Sequence, residues 1–560
     1  MGILSAIVSF SEKTVTVQDK SLLVLPLKEI IVERSEKNIY ADILFSEFSG
    51  AKKLGLDDIL KAINRAKDDE KIKGIYLNPS ILNAGFGTIE EIRQALLRFK
   101  ESGKFIYAYA ENVSQKAYYL ISVADSVVLN PVGVIEFKGL MSQSMFFKDA
   151  LEKLGVEMQI IRHGKFKAAV EPFILEKMSE ENRLQTEKYI MSMWNKILDD
   201  ISKERGIPVP RLNQLADSIT AFKIAGFVKG AGLVDALKYK DEVLSDLKKL
   251  TCIEEKNDLR IIEVEKYAKA PAKSEGKGLA RDKIAVLYAD GEIDLSTNGI
   301  DSEKLSQSIR KARRDTTIKA IVIRINSPGG VAYGAEIIWR ELKLASADKP
   351  VIASIGDMAA SGGYYIASAA DTIISNHTAI TGSIGVFAML PNVQKLLNEK
   401  LGISVDDVKT NAYSDILAID RGLTSFERAS LQQYVENTYD IFLERVSDGR
   451  EMTKEQIDEI GQGRIWSGDN AKEIGLVDAF GGVDDAVKMA AELCNLDHYR
   501  VVQLPAVEDP LEKFLKEFGS QSHVRMQNEL GLHYKMFQAL KTISESKGIM
   551  ARLPYYLDIN

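Results

Sequence analysis

The chain repeats itself. Ile63–Ile75 (INRAKDDEKIKGI) returns as Ile309–Ile321 (IRKARRDTTIKAI), an offset of 246 residues (309 minus 63). At the same offset, Tyr118–Asp125 (YYLISVAD) matches Tyr364–Asp371 (YYIASAAD). GLVDA closes each copy, at Gly232–Ala236 and Gly475–Ala479, followed by RIIEV at Arg260–Val264 and RVVQL at Arg500–Leu504. Four matches in one order mark a tandem duplication, and self-similarity of this kind constrains the fold before any local motif does. The 560 residues divide into an N-terminal segment (1–37), a first copy (38–267), a linker (268–281), a second copy (282–506) and a tail (507–560). The linker, AKAPAKSEGKGLAR, is small, polar and rich in Lys, Gly and Ala. Leu511, Phe514, Leu515 and Phe518 give the tail a helical spacing suited to packing or subunit contact.

Each copy alternates strand and helix. In the second, Ile284–Tyr288 (IAVLY) and Ile318–Ile325 (IKAIVIRI) are short apolar runs suited to strands buried on both faces. Asp301–Arg314 between them is amphipathic with a helical period, a further helix runs to Leu342, and Val351–Ser354 is the next strand. This is the βαβ rhythm of an α/β fold with a parallel sheet. Ligand sites in such folds gather in the loops at the carboxyl ends of the strands.

Composition narrows the function classes. A net charge of −7 with no long block of one sign argues against a general nucleic-acid binder. Two cysteines, Cys252 and Cys494, cannot build a disulfide framework or a thiolate cage. The five histidines (His163, His377, His498, His523 and His533) form no metal-binding spacing, so neither a metal nor another cofactor is expected. Gly2–Phe10 (GILSAIVSF) is apolar but far short of the ~20 residues that cross a bilayer. It reads either as a terminal packing segment or as the trailing end of a membrane anchor.

Two loops of the second copy carry unusual chemistry. Asn326–Gly330 (NSPGG) follows a strand, and its glycines let backbone amides approach a ligand closely. Asp357–Tyr364 (DMAASGGY) places Ser361 at a strand-to-helix turn, where a nucleophile is presented beside amides that stabilise an oxyanion. An N-cap serine has the same local sequence. The serine needs a base, and His377 is one candidate. At the 246-residue offset Ser361 corresponds to Gln115, and Pro328-Gly329-Gly330 to Leu82-Asn83-Ala84, so the first copy lacks both features. It carries instead RHGKFKAAVEPF at Arg162–Phe173, in which Lys167 stands opposite Ser414 of the second copy. Each half lacks what the other retains.

DMAASGGY, NSPGG, TGSIG (Thr381–Gly385) and GKFKAAVEPF, in a duplicated chain, closely resemble the long form of the signal peptide peptidase A (protease IV) family. The resemblance spans about residues 38–506. It implies a tandem Clp protease/crotonase-like spiral of βαβ units and a serine endopeptidase with a Ser–Lys dyad, acting on apolar peptides such as cleaved signal peptides. Carried over by motif, Ser361 is the nucleophile, Lys167 the general base and Ser383 the hydroxyl that orients the amine. The amides of Gly362 and Gly330 would form the oxyanion hole, with Gly330 preferred over Gly329. The family also implies a homo-oligomer, a tetramer, at the bacterial inner membrane with its catalytic part on the periplasmic side. The anchor expected ahead of the first copy is absent, unless Gly2–Phe10 belongs to it.

The chemistry requires a neutral amine, whereas a free lysine titrates near about 10.4. Burial among Ala168, Ala169, Val170, Pro172 and Phe173 would lower that value. Glu171 is expected to point away from Lys167, and Lys165 to stay at the solvated surface. Two other readings compete. One is a crotonase-like acyl-CoA enzyme, in which glycine loops hold a thioester enolate without a nucleophile. The other is an inactive scaffold that has kept the fold.

Overall fold

The computed structural model of the chain describes residues 15–35, 53–271, 280–294, 299–505 and the backbone of 550–552. Gly2–Phe10, most of the linker and the apolar positions 511–518 of the tail lie outside the described residues. The chain forms two compact units. Of the described residues, the first comprises 15–35, 53–139 and 197–271; the second comprises 140–196, 280–294, 299–505 and 550–552. The stretch Leu140–Lys196, from the middle of the first copy, therefore belongs to the second unit.

The first unit is built on a six-stranded parallel sheet. Its order is Ala236–Leu237, Ser126–Ile135, Phe105–Val113, Ile72–Leu77, Ser21–Leu25 and Ile261–Glu263. Ser21–Leu25 precedes the stretch that carries the sequence repeat, yet it pairs on both sides. Its run SLLVL is almost wholly buried, as a strand covered on both faces must be.

The second unit repeats this order with Ala479–Phe480, Thr372–Ser375, Val351–Ala360, Ile318–Ser327, Lys283–Asp290 and Arg500–Leu504, again all parallel. Beside it, Ile380–Gly382 extends from Val351–Ala360 and pairs antiparallel with Ile465–Ser467. Helices Ser302–Arg314 and Ala332–Ser346 cover the sheet through Leu305, Ile309, Ile338 and Leu342, all buried. The strands run further than their apolar cores suggest. Val351–Ala360 continues through Asp357 and Met358 to the residue before Ser361, because pairing with Ile380–Gly382 sustains it there.

The duplication extends to individual hydrogen bonds. Asp235 accepts from the Val127 amide and pairs with Arg205; Asp478 accepts from Ile373 and pairs with Arg450. The hydroxyls of Tyr118 and Tyr364 donate to the carbonyls of Leu233 and Leu476, respectively. Asp125 and Asp371 each hold the amide at or next to the first residue of a central strand, Ile106 and Val351.

A further sheet in the second unit has the order Ile300–Asp301, Ile293–Asp294, Gly329–Val331, Met550–Arg552, Phe387–Asn392 and Glu157–Arg162. Glu157–Arg162, from the first copy, pairs antiparallel along the whole of Phe387–Asn392. Met550–Arg552 lies between Gly329–Val331 and Phe387, antiparallel to both. Among the described residues, no helix is long and apolar enough to cross a membrane.

Candidate active site

Ser361 stands between the strand Val351–Ala360 and the helix Gly362–Ala367. It occupies the N-cap position without capping: its side chain accepts from no helix amide, and its backbone takes φ 56° and ψ −115°. Non-glycine residues rarely adopt this conformation, and sharp strand-to-helix turns use it to expose a nucleophile. In the first unit Ser114 caps the corresponding helix with ordinary geometry (φ −68°), accepting from Ala117. By cap position Ser361 thus matches Ser114, one residue from the Gln115 that the offset gives. The shift arises at the turn, because Tyr118 bonds back to Ser114 whereas Tyr365, one position later than the matched Tyr364, bonds back to Ser361.

Lys167 arrives on a different path. The strand Glu157–Arg162 delivers a turn through Gly164 to Lys167, which begins the short helical stretch Ala168–Val170. Its Nζ lies 2.8 Å from Ser361 Oγ and 3.1 Å from both the Oγ and the carbonyl oxygen of Ser383. Lys167, Ser361 and Ser383 all have 0% exposure. Desolvation is what acts on the amine, holding its pKa well below the usual lysine value. Glu171, which could have kept the amine charged, accepts from Ser179 and Asn182 instead. Lys165 is exposed, its ammonium over the Phe166 ring.

Room for Lys167 is made by two glycines, Gly463 and Gly385. A Cβ on Gly463 would stand 2.6 Å from the Cα and Cβ of Lys167, and Gly463 takes φ +84°. One on Gly385 would stand 3.2 Å from its Cδ. Gly385 ends the TGSIG motif, whereas Gly463, in GQGR, carries no sequence signal beyond being a glycine. Phe166 N–H donates to the Gln462 carbonyl, so the lysine turn is fastened to the same loop.

The two glycines after Ile318–Ser327 are held differently, and Gly330 pairs with both Ile293 and Ala551. The Gly329 amide donates to Ser327 Oγ at 3.1 Å, which engages it within the turn. Gly330 packs so closely that a Cβ would meet the Ile293 carbonyl oxygen at 2.0 Å. Gly362 is the first residue of its helix, so its N–H has no acceptor within the helix. Ser383, at φ +51°, is held by its amide to the Arg464 carbonyl, and the Gly382 carbonyl accepts from the Ser361 amide.

The other base candidate is engaged elsewhere. His377 Nδ1 lies 2.5 Å from Asp469 Oδ1, and its ring stacks on Phe480. Ser414, opposite Lys167 in the repeat, is exposed with its hydroxyl on the Asn411 carbonyl.

Comparison with known proteins bears on both copies. The model of peptidase family S49 matches residues 98–254 and again 343–497. Protease 4 of Haemophilus influenzae is 35% identical over 526 residues, 90% of this chain and 85% of that protein. Protease 4 of Salmonella typhi is 35% identical over 86% of this chain and 80% of its own length. The chloroplastic serine protease SPPA of Arabidopsis thaliana is 33% identical over 92% and 76%. With a family domain in each half and relatives that align along nearly its whole length, the chain belongs to peptidase family S49 and is a serine protease.

Proposed function

We propose that the chain hydrolyses peptide bonds through a Ser361–Lys167 dyad assembled from its two copies. The observation that carries this reading is the 2.8 Å approach of Nζ to Oγ in a fully buried site where desolvation holds the amine's pKa well below its usual value. Ser361 Oγ attacks the substrate carbonyl carbon while its proton passes to Lys167 Nζ. The resulting oxyanion is met by the amides of Gly362 and Gly330. The C–N bond then breaks as Lys167 returns the proton to the leaving amine, leaving an acyl-enzyme. A water next gives its proton to Lys167 and attacks the ester carbonyl; the carboxylic acid departs and Ser361 regains its proton. Ser383 keeps the amine lone pair directed at Ser361 by occupying its two hydrogens.

Extended apolar peptides, such as the remnants of cleaved signal peptides, are the proposed substrates. Strand pairing between Gly329–Val331 and Phe387, where residues 550–552 of the chain itself lie, supports binding of a peptide by strand addition beside Ser361. Association into a homotetramer, attachment to a bacterial inner membrane through an N-terminal anchor and a periplasmic catalytic part complete the reading. The repeated βαβ order supports a Clp protease/crotonase-like spiral in each copy. An acyl-CoA enzyme would have no use for a strained serine with a lysine amine on its oxygen.

The test is paired substitution. Ser361→Ala and Lys167→Ala should each lower kcat on an apolar peptide substrate by about 10⁴-fold or more, as loss of a nucleophile or its base does, with circular dichroism unchanged. A fluorophosphonate should label wild type at Ser361 and should not label Ser361→Ala. Activity persisting in Lys167→Ala would overturn the dyad.

A further inference from the structure

We propose that Gln185 is a positioning residue for the dyad: a buried, two-headed amide clamp that locks the Lys167 turn to the strand beside Ser383. The inference rests on the Ser361–Lys167 reading and goes beyond it by naming what holds the two copies' contributions in register.

Gln185 lies on the helix Glu180–Arg205 and has 0% exposure. Its Nε2 donates to the Phe166 carbonyl at 3.1 Å, one residue before Lys167, and to Asn182 Oδ1 at 3.1 Å. Its Oε1 accepts from the Ile465 amide, also at 3.1 Å. Ile465 stands opposite Gly382 in the antiparallel pair. From there both catalytic partners are within one bond: the Gly382 carbonyl holds the Ser361 amide, and the neighbouring Arg464 carbonyl holds the Ser383 amide. One side chain thus ties the backbone that aims the amine to the backbone that aims the hydroxyls.

Only an uncharged amide fits these needs. The Phe166 carbonyl requires a donor and the Ile465 N–H an acceptor, which also fixes which way the amide is turned. A carboxylate would face the Phe166 carbonyl with no donor and add a negative charge near Lys167, favouring the ammonium. An apolar side chain would leave two buried backbone groups unsatisfied. The helix is itself held along the same strand, with Ser192 Oγ 2.7 Å from Ser467 Oγ and Lys188 over the Trp466 ring. Behind Gln185, Asn182 donates to Glu171 and so braces the clamp from the lysine side.

The experiment uses the full chain with Gln185→Met, which keeps length and shape, and Gln185→Glu, which keeps the acceptor for Ile465. Active sites are counted by fluorophosphonate titration so that kcat refers to folded enzyme. For Gln185→Met, kcat should fall about 10- to 100-fold, the cost of a misplacement near 1 Å, with KM within about threefold. The acid limb of the pH profile of kcat/KM should move to higher pH, because a loosened turn lets water reach and stabilise the ammonium. Gln185→Glu should move the limb further in the same direction. A loss of kcat with an unmoved limb, or activity equal to wild type, would overturn the proposal. Lys167→Ala run alongside separates the two readings: if it is inactive while both Gln185 variants behave as wild type, the clamp alone fails, whereas an active Lys167→Ala removes the dyad itself.

Discussion

A lysine buried without a carboxylate partner is a cost that folding must bear. In the unfolded chain Lys167 stays protonated to about pH 10.4; in the native protein desolvation holds its pKa well below that. Between the two values the unfolded state binds more protons, so stability rises with pH across that window and is lowest on its acid side. Lys167→Met should therefore raise the melting temperature at pH 7 by about 3 °C or more while abolishing activity. The advantage should shrink as pH approaches 10, where the unfolded lysine also begins to lose its proton. Differential scanning calorimetry at pH 7 and pH 10 checks this; an advantage that is constant with pH would point to packing instead. Ser361 was legible from its own neighbours, because small residues and a glycine pair between strand and helix announce a sharp turn. Lys167 was not: its flanking alanines hinted at burial, but only the comparison of the two copies and the family motif singled it out.

Elements were legible where a period repeats and less so at their ends. The amphipathic helix expected at Asp301–Arg314 is observed at Ser302–Arg314, with Asp301 capping it through the Lys304 amide. Strand ends depend on partners far away in sequence, which is why Val351–Ala360 runs six residues past the expected Ser354. Gly463 is silent in the sequence for the same reason: its significance is a neighbour almost three hundred positions earlier. Gly463→Ala should push the Lys167 turn away and lower kcat about 10²-fold with KM little changed. Steady-state kinetics decide it, and an undiminished kcat would show that the turn can yield at no cost. The strand Met550–Arg552 makes a second prediction: under the proposed strand addition, an incoming peptide replaces it in the slot beside Gly330. Removing residues 550–560 should lower KM for short apolar peptides by about the reciprocal of the fraction of molecules with an open slot. An unchanged KM would mean that substrates enter elsewhere.

Across the whole chain, the feature that assembles the site is not the repeat but the exchange within it. Leu140–Lys196 leaves the copy in which it is encoded and completes the second unit, where Glu157–Arg162 pairs through six positions with Phe387–Asn392. A specific protease site inserted between residues 272 and 279 should therefore yield two fragments that co-purify under native conditions and retain activity. Separation of the fragments on size exclusion, with loss of fluorophosphonate labelling, would contradict the exchange.

The duplication, the βαβ rhythm, the absence of a metal-binding spacing and the identity of the serine turn all followed from the sequence, because each is a local pattern or a pattern compared with its own copy. The complete burial of Lys167, its 2.8 Å approach to Ser361 and the bracing by Gln185 did not. These depend on desolvation and on hydrogen bonds between residues some two to three hundred positions apart, which exist only once Leu140–Lys196 has packed into the second unit.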